Sequence, residues 1–159
     1  MATRAIPRMQ SVTSKVKPIP LGYHSITPIL RVEGAPRLID FLKQAFQAEE
    51  RERFMAPDGR VSHAEVKIGD SVLMISDVDE KWKPMPGSLN LYTEDTDAVY
   101  RRALGAGATS LMEPADQFYG DRSAGVKDPF GNQWWISTHV EDVSPDELQR
   151  RMKAFYEKQ

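Results

Sequence analysis

The stretch "SHAEV" places His63 and Glu65 two residues apart, and an extended strand puts such a pair on one face. An imidazole beside a carboxylate can move protons near neutral pH, or can hold an offset metal together with His139. A hydrogen-bonded histidine lining a pocket or a subunit seam accounts for the same pair without chemistry. Arg122 in "YGDRSAG" is a second candidate, because a guanidinium can grip a carboxylate or phosphate through two hydrogen bonds. Asp116, Asp121 and Asp128 are close enough in sequence to occupy it instead. Trp82 and Met85 lie in "EKWKPMPG", where two prolines and a glycine break regular structure, so the segment is a linker or a lid.

Bulk properties narrow the partners of these residues. The chain has 159 residues, 40% of them hydrophobic, which supports one well-packed domain. A net charge of −2 gives no basic footprint, so nucleic acid is not an expected partner. With no cysteine there are no disulfides, thiolate metal sites or cysteine nucleophiles, and the cytosol is the natural compartment. The leader "MATRAIPRMQSVTSKVKPIP" has no continuous apolar core, so neither a secretory signal nor a membrane span is expected, and residues 1–20 read as a flexible tail.

The elements that must position the candidates follow from pattern and turn chemistry. "YHSITPILRV" reads as a strand, and "GAPRLIDFLKQAF" as a helix with Pro36 in its first turn. "EERERFM", "VSHAEVKI" and "SVLMISD" are strands separated by the turns "PDGR" and "GD". After the linker the grammar repeats: "SLNLYTED" is a strand, "TDAVYRRALGAGA" a helix capped by Asp95 or Thr96, and "TSLMEP", "DRSAGVKD" and "QWWISTH" are strands. A 62-residue slide sets Gly69 over Gly131, Asp70 over Asn132 and Met74 over Ile136, so the chain is two βαβββ halves. The expected organisation is one domain over 21–143, with modules at about 23–77 and 88–139, and a C-terminal helix over 144–159. That helix opens with a capping box at Ser144 and Glu147 and carries an apolar stripe of Leu148, Met152, Phe155 and Tyr156, which must dock on the domain or on a second subunit.

Alternation then assigns strand faces. Leu30 and Val32, Leu89 and Leu91, Val72 and Met74, and Trp134, Ile136 and Thr138 are assigned to the helix-packed side. Thr27, Ile29 and Arg31, Ser88, Asn90 and Tyr92, Leu73, Ile75 and Asp77, and Gln133, Trp135, Ser137 and His139 are left facing the opposite way.

The duplicated order, "DTDAVYRRALGAGA" and "GDRSAGVKDPFGNQWWI" resemble the vicinal oxygen chelate superfamily, which holds glyoxalase I, bleomycin-resistance proteins and extradiol dioxygenases. "TPIL", "DGRVSHAEVKIGDSVLMISD", "YGDR" and "STHVEDVSPDELQRR" are most similar to its PhnB-like branch. The resemblance implies an α+β fold in which two tandem βαβββ modules form a curled mixed-sheet cup with helices outside, followed here by the C-terminal helix. Metal-dependent relatives place His or Glu at one inward position on each of the first, fourth, fifth and eighth strands. The matching residues here are Thr27, Leu73, Ser88 and Trp135, none a credible ligand. No metal or other cofactor is therefore expected in the cup, nor ordinary glyoxalase I or extradiol dioxygenase activity.

By the same resemblance, the expected protein is a cytoplasmic homodimer that sequesters a small, partly apolar organic molecule, with no nucleic-acid or membrane partner. Thr27, Ile29, Phe54, Leu73, Trp82, Tyr92 and Trp135 would supply surface, and Asn90, Ser137, His63 and Arg122 orientation. The rival is a lyase, isomerase or dioxygenase-like enzyme with His63 and Glu65 as acid–base pair or offset metal ligands. A third reading is an accessory dimer that uses the tail helix for a partner.

Overall fold

The computed structural model describes residues 16–158; the leader through residue 15, expected to be a loose tail, lies outside the described residues. The first half runs β1 (Ile29–Val32), α1 (Ala35–Phe46), β2 (Glu49–Met55), β3 (Val61–Ile68) and β4 (Ser71–Asp77). The second runs β5 (Ser88–Tyr92), α2 (Thr96–Gly105), β6 (Thr109–Asp116), β7 (Asp121–Lys127) and β8 (Gln133–His139), and α3 (Pro145–Tyr156) follows. Each half makes one open, mixed four-stranded sheet, in the orders β1-β4-β3-β2 and β5-β8-β7-β6. The parallel pairs are β1 with β4 and β5 with β8, which the crossover through each helix makes possible.

Local chemistry explains where the helices start. α1 begins at Gly34, whose φ of 93° few other residues tolerate, and Gly34 has no side chain with which to cap the helix. The Asp77 carboxylate at the end of β4 takes over, accepting from the Gly34 and Ala35 amides at 2.9 and 2.8 Å and from the Val61 amide at 2.8 Å. α2 is capped by Asp95, which accepts from the Ala98 amide, and the Thr138 hydroxyl at the end of β8 accepts from the Thr96 amide at 3.1 Å. α3 has half of the expected box: Ser144 accepts from the Glu147 amide, while the Glu147 side chain turns to Arg150 and Arg151.

One apolar core joins both halves. Leu38, Ile39 and Leu42 of α1 pack with Leu30, Val66 and Ile75, and the cluster continues through Val99 and Ala103 to Val126 and Ile136. Trp134 is buried within it, its ring 4.8 Å from that of Phe46 and its indole N–H donating to Asp128 at 3.0 Å. No α3 residue is buried; Phe155 rests on Phe118, ring centroids 5.0 Å apart, and Arg151 pairs with Glu141. Met152 and Tyr156, from the expected stripe, are exposed.

Strand pairing corrects the faces assigned to β4. Leu30 pairs with Ile75 as Leu91 pairs with Ile136, and Ile29 with Met74 as Asn90 with Trp135, a displacement of 61 residues rather than 62. Leu73, Ile75 and Asp77 therefore face the helix, and Val72, Met74 and Ser76 the cup. The turn glycines of the two halves, Gly69 and Gly131, are not in equivalent register. Ile68 pairs with Ser71 across a two-residue turn, whereas the Asp128 amide donates to the Asn132 carbonyl across one residue more. A single inserted residue reverses every side chain downstream of it in such an alignment.

Candidate functional site

Where the two halves meet, the strand leader 24–28, the β3–β4 turn and the edge strand β5 enclose a cavity of about 480 Å³. Val72, Leu89, Leu91 and Trp134 give it apolar walls, while Thr27 and Asn90 supply hydrogen-bonding groups. That size and composition suit a small organic ligand. Among the expected site residues, Thr27, Leu73, Asn90 and Tyr92 line this seam. Leu73 does so from the helix side, not from the cup as its assigned face required.

The cup face of the first half carries a polar cluster. Glu65 and Met74 are paired neighbours of β3 and β4, so Glu65 and His63 face the cup, as their spacing implies. Glu65 is only 5% exposed. Its Oε1 lies 3.3 Å from His63 Nε2, and its Oε2 accepts a short hydrogen bond from the Tyr23 hydroxyl. Glu52 Oε1 is 3.6 Å from the same imidazole nitrogen. Burial raises the Glu65 pKa, but the hydrogen bonds from Tyr23 and His63 outweigh it and hold the carboxyl below its ordinary value. The Tyr23 phenol is pushed up, first by its hydrogen bond to Glu65. Phe54 stacks beside His63 with ring centroids 6.3 Å apart, and Ile29 lies exposed on the same side.

The cup face of the second half is built differently. His139 joins neither His63 nor Glu65: its Nδ1 meets Asp121 at 2.7 Å and its Nε2 meets Asp142 at 2.9 Å. Those bonds, the one to Asp142 first, raise its pKa above the ordinary value. Asp121 also accepts from the Tyr92 hydroxyl at 2.9 Å, which pushes that phenol up. Ser137 bonds Asn90 and Ser123 at 3.1 and 3.0 Å. Trp135 lies flat across Gly125; a Cβ there would stand 2.6 Å from the indole.

Two expected residues are engaged elsewhere. Arg122 pairs with Thr138 in the β7–β8 register and points toward α2, not into the cup. Its guanidinium takes Asp97 at 2.5 and 2.8 Å and Asp116 at 3.1 Å, so the intramolecular alternative is the one observed. Trp82 lies on the connection between halves, where Met85 bridges to Arg31. Its indole is covered by the cations of Arg31 and Lys81 at 4.7 and 4.9 Å.

The sequence pattern does not point to Glu52 or Tyr23, and it offers Asp121 only as a partner for Arg122. Glu52 reaches the cup through a bulge: Glu50 pairs with Val66 and faces Lys43 of α1, whereas Glu52 pairs with Glu65 on the opposite side. Nothing in "EERERFM" announces that extra residue. Asp121 was legible, since alternation along β7 opposes it to Arg122 and groups it with Ser123.

The four inward positions that would carry metal ligands now read Thr27, Met74, Ser88 and Trp135, with Met74 replacing Leu73 once the register is set. A hydroxyl pair, a thioether and an indole do not fit a hard or borderline divalent cation.

A profile of the Glyoxalase/Bleomycin resistance protein/Dioxygenase superfamily matches residues 22–136. An uncharacterised protein of Mycobacterium bovis is 38% identical over 141 residues, covering 82% of this chain and 93% of that one. Among solved structures, TioX from Micromonospora sp. ML1 aligns with a TM-score of 0.60 at 20% identity, over 72% of this chain and 99% of its own. A PhnB protein from Bacillus cereus aligns with a TM-score of 0.56 at 21% identity, over 72% and 99%. Paired βαβββ halves, one shared core and a family match over most of the chain agree: the protein belongs to the glyoxalase/bleomycin-resistance/dioxygenase superfamily.

Proposed function

We propose that this protein binds and sequesters one small, partly apolar organic molecule per chain, without a metal at the four usual strand positions. The observation that carries this reading is the seam cavity of about 480 Å³, in which aliphatic and indole walls meet a few hydrogen-bonding groups. Asn90 belongs to that lining while its carboxamide oxygen accepts from Ser137, so the amide is held in one orientation from behind. A preformed, oriented polar group costs little entropy on binding, and a carrier that performs no turnover needs nothing more. The working form is a cytoplasmic homodimer; among the described residues no helix is long and apolar enough to cross a membrane.

The test is native mass spectrometry of untreated protein, with the bound species identified after denaturation. One organic molecule per chain is expected in the wild type and after His63→Ala, whereas Leu91→Trp, which fills the seam, abolishes it. Retention of the molecule in a folded Leu91→Trp variant would place the ligand elsewhere. Sedimentation velocity of the same sample should show a dimer.

A further inference from the structure

We propose that Glu52, His63 and Glu65 form a binding site for one divalent first-row cation on β2 and β3, away from Thr27, Met74, Ser88 and Trp135. Three observations support this. First, the ligand atoms are nearly in place. One nitrogen and two carboxylate oxygens lie within 4.8 Å of one another, with His63 Nε2 at 3.3 Å from Glu65 and 3.6 Å from Glu52. Ligands bound at about 2.1 Å in tetrahedral or octahedral geometry stand about 3.0–3.4 Å apart, so a rotation of the half-exposed Glu52 side chain completes the set.

Second, the charge arrangement calls for a cation. The bulge in β2 brings Glu52 directly opposite Glu65, and like charges directly opposite across a strand pair are destabilising. Glu65 is nine-tenths buried, so little water reaches its carboxylate. The one imidazole between the carboxylates can give its Nε2 proton to only one of them, whereas a cation is shared by all three. Arg51 does not take this place: its guanidinium stacks on the Tyr23 ring at 5.2 Å, and among the described residues no ion pair joins it to either glutamate.

Third, the support for a ligand is built. Tyr23 fixes Glu65 through Oε2 and leaves Oε1 toward His63, the kind of outer hydrogen bond that orients a metal-ligating carboxylate. One imidazole and two carboxylates, with no sulfur, suit zinc, nickel, manganese or ferrous iron. Three protein ligands leave coordination positions open on the exposed side, beside the Phe54 ring.

None of the three ligands lines the seam cavity, so this site and the sequestering role can fail independently. The experiment is a calorimetric titration of chelator-treated, dialysed full-length protein with Zn²⁺, repeated with Co²⁺ while its visible spectrum is recorded. One equivalent is expected to bind, with the cobalt spectrum changing in step. Glu52→Gln and His63→Gln, both at partly exposed positions, should each weaken binding at least about tenfold and abolish the spectral change. His139→Gln, at the other imidazole of the cup, should leave both readouts unchanged. Circular dichroism checks that each variant is folded. The proposal is overturned by absence of binding up to about 1 mM cation, which corresponds to only about 4 kcal/mol. It is equally overturned by binding that survives Glu52→Gln and His63→Gln, or that vanishes with His139→Gln.

Discussion

The two halves of this chain share a helix-facing side and differ on the side that faces the cup. Leu30 and Leu91, Ile75 and Ile136, Ala64 and Ala124, and Val66 and Val126 occupy equivalent places in their sheets, all at least partly buried against a helix. Across the same strands, His63 and Glu65 in one half stand where Ser123 and Gly125 stand in the other, and Met74 stands where Trp135 does. Packing against a helix demands apolar residues that fill the space, and at these four positions it is met by the same residue twice, although Leu73 and Trp134 differ. The open face carries no such demand, so one half sets Glu52 and Glu65 around His63 at the middle of its sheet, whereas the other has hydroxyls beside an indole there and keeps its His139 with Asp121 and Asp142 at the strand end. The proposed cation site therefore lies on the face where the copies disagree, whereas the seam cavity lies between the copies and draws walls from both faces.

The sharpest way to break the comparison is at the β7–β8 connection, which sets the register difference. Asp128 is buried and accepts from the Phe130 and Asn132 amides, the Asn132 carboxamide and the Trp134 indole. Asp128→Ala strands these donors and should cost about 3–5 kcal/mol in urea denaturation. The matching turn of the first half contains Asp70, exposed, accepting from the Ser71 hydroxyl and facing the also exposed His24 at 4.0 Å, and Asp70→Ala should change stability by less than about 0.5 kcal/mol. Equal losses at the two turns would show that they do not differ as described.

Next comes the pair that ties each last strand to its helix. Asp77 and Thr138 are equivalent, but the first is a carboxylate serving the Gly34, Ala35 and Val61 amides. The second is a hydroxyl serving Thr96 through its amide and side chain. Asp77→Ala should cost about 2–3 kcal/mol and Thr138→Ala about 1 kcal/mol by the same measurement. The difference sharpens the comparison: α1 has no capping side chain of its own, whereas α2 has Asp95.

A smaller effect is expected where the cup face of the second half closes over a glycine. Gly125→Ala would press a methyl to 2.6 Å from the Trp135 ring and must displace it, at about 1–2 kcal/mol. In the Trp135→Ala background the same substitution should be close to neutral, so a double-mutant cycle reads the contact directly. A cycle with no coupling would mean that the indole does not lie on Gly125.

Sequence pattern disclosed the scaffold because helices and hairpins announce themselves through periodicity and turn residues. Pro36, the alternation of "VSHAEVKI" and the Gly59 and Gly131 turns each specify a local shape. The faces of β4 were lost because two glycine turns of unequal length look alike in an alignment. Glu52 was lost because a bulge has no residue signature in a charged edge strand. Arg122 was ambiguous for a different reason: its best partner, Asp97, sits on α2, 25 residues away in sequence, and only the fold brings them together.

The last contrast is in how the two cup faces respond to pH. Glu65 has a carboxyl lowered from 4.5, so its contribution to stability is present above that value and is lost as pH falls through the folded-state pKa. His139 runs the opposite way. Both of its ring nitrogens face carboxylates, and only the imidazolium can donate to Asp142 and Asp121 at once. Its pKa is raised from 6.5, so its contribution is complete below that value and fades as pH rises through the folded-state pKa. The His139 ring proton followed by NMR should therefore titrate above 6.5, and Asp142→Asn, removing the larger cause, should bring the midpoint down. Urea denaturation of His139→Asn should differ more from wild type in mildly acidic than in alkaline buffer. A wild-type midpoint at or below 6.5 would mean that the two carboxylates do not hold the ring in solution.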